Sequence, residues 1–87
     1  MIIKKLIWDR WNIEHIARHN VEPAEVEFVC QSKNLFNKWK NKLYRVIGQT
    51  EQGRYLTIYL APREKGYYPA TARDATDKER KELKRKI

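Results

Sequence analysis

The sequence predicts a small α+β domain: a mostly antiparallel sheet with two N-terminal helices and a C-terminal basic helix. Three observations carry that expectation. Apolar residues recur at helical spacing between Arg10 and Gln31. From Ser32 to Arg73 the pattern changes to period two and fills with aromatic and β-branched residues. From Asp77 onward the chain is a capped, strongly basic run. The order is β-α-α-β-β-β-β-α, and segregated runs of helices and strands of this kind suit an α+β architecture. Eighty-seven residues suit one domain, 1–87, with no repeat or linker within it.

Each element has a local reason. Ile2 to Ile7 reads as a first strand, with Ile3 and Leu6 as core anchors. Trp8 closes it and pins the first helix, which Asp9 caps and which runs from Arg10 to Arg18. Ile13, Ile16 and Ala17 share one face of that helix. Asn20 stops it, because asparagine tolerates the left-handed backbone that usually falls to glycine. Pro23 suits the first turn of a second helix, with Glu22, Glu25 and Glu27 near its positive end. Val26, Val29 and Cys30 give this helix its apolar face, and it ends near Gln31. Lys33 to Lys38 is an edge strand, where lysines discourage further pairing. Lys42 to Gln49 and Arg54 to Ala61 form a hairpin around Glu51-Gln52-Gly53. Tyr67 to Arg73 is the last strand, after a turn from Arg63 to Gly66, and Pro69 inside it requires an edge or a bulge. Thr76 and Glu79 are spaced as a capping box, so the last helix runs from Asp77 to Ile87 with Leu83 and Ile87 as its apolar stripe.

Composition narrows the function classes. The net charge is +8, which permits an anionic partner (an RNA backbone, an acidic protein or a membrane surface) or else only keeps a small globular protein soluble. No apolar run approaches the ~20 residues of a membrane-spanning helix. Lys4 and Lys5 interrupt the apolar N-terminal segment, which therefore does not read as a signal peptide. Cys30 is the only cysteine, so a reducing, cytoplasmic setting is expected, with Cys30 as a small core residue.

The residues that carry chemistry suit work on phosphodiesters. Cleaving RNA without a metal needs a base for the attacking 2′-hydroxyl and an acid for the leaving 5′ oxygen. It also needs cations for the charge that gathers on phosphorus. Arginine suits the last task because its planar fork holds phosphate in two places and stays charged. Arg45, Arg63 and Arg73 come from neighbouring strands and make a cationic patch if they face one side. The side taken by Arg45 is open, since Ile47 shares its face and could point to the core, leaving Tyr44 in solvent. His15 and His19 stand one turn apart on the first helix beside Trp11. They are candidate bases; otherwise His19 meets the helix dipole and His15 packs against Trp11. Their spacing also fits a two-histidine metal site, but only Asp9 stands at ligand-like spacing, so no metal is expected. Tyr68 offers a phenol that can donate a proton or stack on a base, and Tyr55, Tyr59 and Tyr67 extend that surface. On the last helix Arg80, Lys81 and Lys84 either grip phosphates or form a solvated face.

Trp8-Asp9, Asn12, Arg18-His19 followed by Val21, Arg45 with Gly48, Arg63, and Ala72-Arg73 followed by Glu79 stand in an order and spacing that resembles the BrnT family. These are small bacterial ribonuclease toxins of the RelE-like superfamily, and the resemblance spans nearly the whole chain. Two positions depart from it. Asn20 stands where the family usually has glycine, and Tyr68 where many members have a basic residue. The resemblance implies a type II toxin that cuts RNA independently of the ribosome, without cofactor. Arg63 and Arg73 would hold phosphate with Arg45 in support, His19 or His15 would act as base, and Tyr68 as acid or stacking group. It also implies a cognate antitoxin that covers the toxin with an acidic region and contacts DNA on its behalf. A module of the same fold that binds RNA or protein without catalysis is the alternative.

Overall fold

Period-two alternation over the middle of the chain produces a four-stranded antiparallel meander in the order β1-β2-β3-β4. The structure, a computed structural model, describes Ile3 and residues 5–86. Helices α1 (Arg10–Ala17) and α2 (Pro23–Gln31) precede strands β1 (Asn34–Lys38), β2 (Tyr44–Gln49), β3 (Tyr55–Arg63) and β4 (Gly66–Asp74), and α3 (Asp77–Lys86) follows. The architecture is thus α+β, as the sequence predicts.

Alternation gives the sheet two unlike faces. One carries Val46, Leu56, Ile58, Leu60 and Ala72, which pack with Ile16 of α1 and Val26, Val29 and Cys30 of α2 into the core. Phe36, Tyr44 and Tyr67 close its margin, with the Phe36 and Tyr44 rings stacked 5.0 Å apart. Gly48 lets α2 approach, because a Cβ there would lie 2.7 Å from Val29 Cγ1. The other face carries Arg45, Ile47, Thr57, Tyr59 and Arg73, and α3 lies across part of it through the buried Leu83 and Glu79.

Local signals held where they concern backbone chemistry. Asp9 caps α1 by accepting from the Asn12 amide, and Asn12 Oδ1 accepts from the Asp9 amide in return. Asn20 is left-handed, with φ of 58°. Pro69 sits in β4 at the sheet's edge beside a register shift opposite Tyr59 and Leu60. Cys30 is fully buried, and burial followed by the nearby Glu27 charge pushes its thiol up to about 12.

Other expectations are corrected. Of the strand expected from Ile2 to Ile7, the described residues show one parallel bridge, Leu6 to Tyr67, in which the Ile7 amide donates to the Tyr67 carbonyl and the Tyr67 amide to the Lys5 carbonyl. Ile2 and Lys4 lie outside the described residues, as does Ile87, the expected partner of Leu83. On α1 the buried residues are Asn12 and Ile16, while Ile13 and Ala17 face solvent. Trp8 packs against the core that includes Ile16 of α1 and also ties to α2, donating from Nε1 to Glu27 Oε2 at 2.8 Å. Arg63 belongs to the end of β3, so the turn shrinks to Glu64 and Lys65. Among the described residues no helix is long and apolar enough to cross a membrane.

Candidate nucleic-acid interface

The period-two pattern of β2, β3 and β4 brings Arg45 and Arg73 to the face opposite α1 and α2. Arg45 stands opposite Tyr59 on the neighbouring strand, and Arg73 stands opposite Thr57. Tyr44 takes the core side, so the open question about Arg45 resolves toward the patch. Ile47, on the same face as Arg45, is buried on the side where α3 docks.

Neither guanidinium is free. Arg73 donates to both carboxylate oxygens of Glu79, at 2.9 and 3.0 Å, and to the Tyr59 hydroxyl at 3.0 Å. Glu79 also accepts from the Thr57 hydroxyl at 2.9 Å and the Thr76 amide at 2.8 Å. Burial alone would raise this carboxyl. The hydrogen bonds from Arg73, the Thr76 amide and Thr57, with the Arg73 charge, outweigh burial and bring it down to about 2. Arg45 is buried to 5 % exposure and donates to Glu82 at 3.0 and 3.4 Å and to Asn37 Oδ1 at 3.2 and 3.3 Å. Its Cζ lies 4.3 Å from the ring centre of Trp39, and that ring lies 6.0 Å from Tyr59. A carboxylate fills the same fork that a phosphate would take. Glu79, Glu82 and Leu83 share one face of α3 at helical spacing, while Lys81 and Lys84 remain exposed. Arg80 places its guanidinium 4.4 Å above the Tyr55 ring.

The remaining candidates lie elsewhere. By alternation Arg63 shares the face of Tyr59, but it stands at the far end of β3, over the Tyr68 ring at 5.2 Å. Tyr68 donates its hydroxyl to Asp9 Oδ1 at 3.0 Å, and burial together with that bond raises its pKa. Arg63 and Tyr68 therefore form a pair at the rim, near the start of α1. His15 and His19 belong to the core-side layer. They are exposed, and their rings meet each other at 5.9 Å, not Trp11, which is 78 % exposed. Among the described residues no hydrogen bond or ring contact joins either imidazole to Arg45, Arg63 or Arg73. Nor do the described residues contain a group of three or more His, Cys, Asp or Glu that could hold a metal ion.

Sequence reading missed Trp39, Thr57, Tyr59 as an arginine partner, and the carboxylates of Glu79 and Glu82. Two signals were present. Alternation from Arg45 and Arg73 implies cross-strand partners at Tyr59 and Thr57. The spacing of Glu79, Glu82 and Leu83 marks a sheet-facing stripe on an otherwise basic helix. Compared with known proteins, the chain matches no family model, no curated protein and no solved structure.

Proposed function

We propose that this protein is a toxin of the BrnT kind: a ribosome-independent endoribonuclease that cuts RNA without a metal and so blocks translation, with the α3 side of the sheet as its RNA-binding face. The observation that carries the reading is the pairing of Arg45 and Arg73 with Trp39 and Tyr59 on one sheet face, flanked by the basic residues of α3. Guanidiniums hold phosphates, and flat rings beside them accept unstacked bases, the combination by which single strands are bound. The order of motifs along the chain supports the toxin assignment.

In this reading phosphate exchanges with the Glu79 and Glu82 carboxylates at Arg73 and Arg45. Arg63 neutralises charge at the rim, and the un-ionised Tyr68 beside it donates a proton or stacks. Arg80, Lys81 and Lys84 contact the backbone. A net charge of +8 suits an acidic antitoxin, through which any DNA contact would be made. The work belongs to the cytoplasm, where RNA is cut.

Two observations favour a second reading. His15 and His19 stand on the opposite layer from the arginines, and Glu79, held near 2, is too weak a base at neutral pH. A module of the same fold that binds RNA or protein without cleaving fits those facts. Induction in growing bacteria, beside an Arg63→Ala, Arg73→Ala double variant checked for solubility, separates the two. Growth arrest with new RNA ends, lost in the variant, supports the toxin. Healthy growth with intact RNA, together with salt-sensitive RNA binding by purified protein, supports the module.

A further inference from the structure

The turn between β1 and β2 holds a feature that the arginine pairs do not explain. Trp39 leaves β1, and its amide donates to the Leu43 carbonyl at 2.8 Å. The Leu43 amide donates back to Lys40 at 3.1 Å, closing a tight turn. Both central residues are left-handed: Asn41 with φ of 57° and Lys42 with φ of 61°. Asparagine tolerates that region, but lysine gains nothing from it that glycine would not gain at lower cost. Lys42 therefore presents its charge at the turn from a strained backbone position.

Beside the turn lies a notch of about 280 Å³, lined by Lys38, Trp39, Lys42, Leu43, Tyr44 and Pro62. No carboxylate lines it. Arg45 covers the Trp39 ring at 4.3 Å, yet 39 % of Trp39 remains exposed. Arg45 has its charge matched by Glu82, whereas no salt bridge engages Lys38 or Lys42 among the described residues. The notch thus combines a flat ring, apolar walls and uncompensated cations at its lip. We infer that it is a subsite for one unpaired nucleotide of an RNA strand, with the base stacked on Trp39 and its phosphate held by Lys38 and Lys42. The inference rests on the RNA-binding reading above and names where the strand runs: from the α3 side of the sheet, past Trp39, and round the end of the sheet at the β1–β2 turn to the core-side margin, where Lys38 and Tyr44 stand.

The test measures binding of a short labelled single-stranded RNA and an abasic strand of equal length to wild type, Trp39→Ala, Trp39→Phe and Lys42→Gly, each with its melting temperature. Wild type should prefer the base-bearing strand. Trp39→Ala should weaken that strand about 5- to 150-fold and barely change the abasic one, while Trp39→Phe keeps most of the affinity. Lys42→Gly should weaken both strands and make the salt dependence shallower by about 0.7 in logarithmic slope, with a melting temperature no lower than wild type. Because Lys42→Gly relieves the turn, a folding defect in Trp39→Ala does not remove the test. Folded Trp39→Ala that binds both strands like wild type, or that weakens both equally, overturns the stacking role. Unchanged binding by Lys42→Gly overturns the phosphate role. Each of those results leaves the RNA-binding reading standing, whereas wild type that binds neither strand defeats that reading and the subsite together.

Discussion

Glu79 accepts hydrogen bonds from Arg73, from Thr57 and from the Thr76 amide, so one carboxylate caps α3 and ties it to β3 and β4. Removing its charge leaves a half-buried guanidinium without its anion, and the expected loss for Glu79→Gln is about 2 kcal/mol of stability at neutral pH. The pH dependence has a definite sign. The carboxyl lies at about 2 in the fold against an ordinary value of 4.5, so its contribution is present above pH 4.5 and is lost as pH falls toward 2. Urea unfolding of wild type and Glu79→Gln across that interval should show the two free energies converging as acid is added. A gap that stayed constant from pH 7 to about pH 2 would show that the charge of Glu79 is not what stabilises the contact.

Among the contacts that hold the helical layer to the sheet, two lend themselves to substitution. Gly48 gives α2 its close approach, and Gly48→Ala should cost about 1–3 kcal/mol because its Cβ would meet Val29 Cγ1 at 2.7 Å and overpack the layer. Arg54 ties down the turn after α1 by donating to the carbonyls of His19 and Asn20, and it also binds Glu25 and Asp74. Arg54→Ala should cost about 2 kcal/mol, read by the same unfolding measurement. These contacts also show where sequence reading stops. The Asp9 cap, the left-handed Asn20 and the bulge at Pro69 were legible because each depends on a few neighbouring residues. Arg54 was not, since its partners lie 20 to 35 positions away. The face of α1 was misread for a related reason: periodicity marks an apolar stripe, but the layer above decides whether Ile13 or Asn12 turns inward. The segment 2–7 is apolar enough to read as a strand, yet among the described residues its one bridge, Leu6 to Tyr67, depends on where β4 begins. The arginine face was half legible. Alternation placed Arg73 and Arg45 together once the register was known, whereas the carboxylates that meet them come from a helix whose docking no local pattern specifies.

At the scale of the whole molecule, the division of charge matters more than the total of +8. The core-side layer exposes mixed charges, including Glu14 and Glu22 beside Arg10 and Arg18. The α3 layer turns Glu79 and Glu82 toward the sheet and leaves Lys78, Lys81, Lys84, Arg85 and Lys86 in solvent. Internal carboxylates therefore compete with any phosphate for Arg45 and Arg73, and the competition can be shifted without removing a cation. Glu82 is the better place to do so, because it caps nothing and its side chain is 25 % exposed, whereas Glu79 closes the start of α3. Glu82→Gln keeps the length and a hydrogen-bonding oxygen for Arg45 but withdraws the charge. If the sheet face binds RNA, this variant should bind a single strand several-fold more tightly at low salt, and its logarithmic salt slope should steepen by about 0.7, the increment for one added phosphate contact. Generic attraction to a more positive protein would also tighten binding, so the control is a carboxylate of the opposite layer. Glu14→Gln raises the net charge equally, and only a gain for Glu82→Gln that exceeds it assigns the effect to Arg45. Equal gains would place RNA on no particular face and leave Arg45 a structural cation held between Asn37, Trp39 and α3.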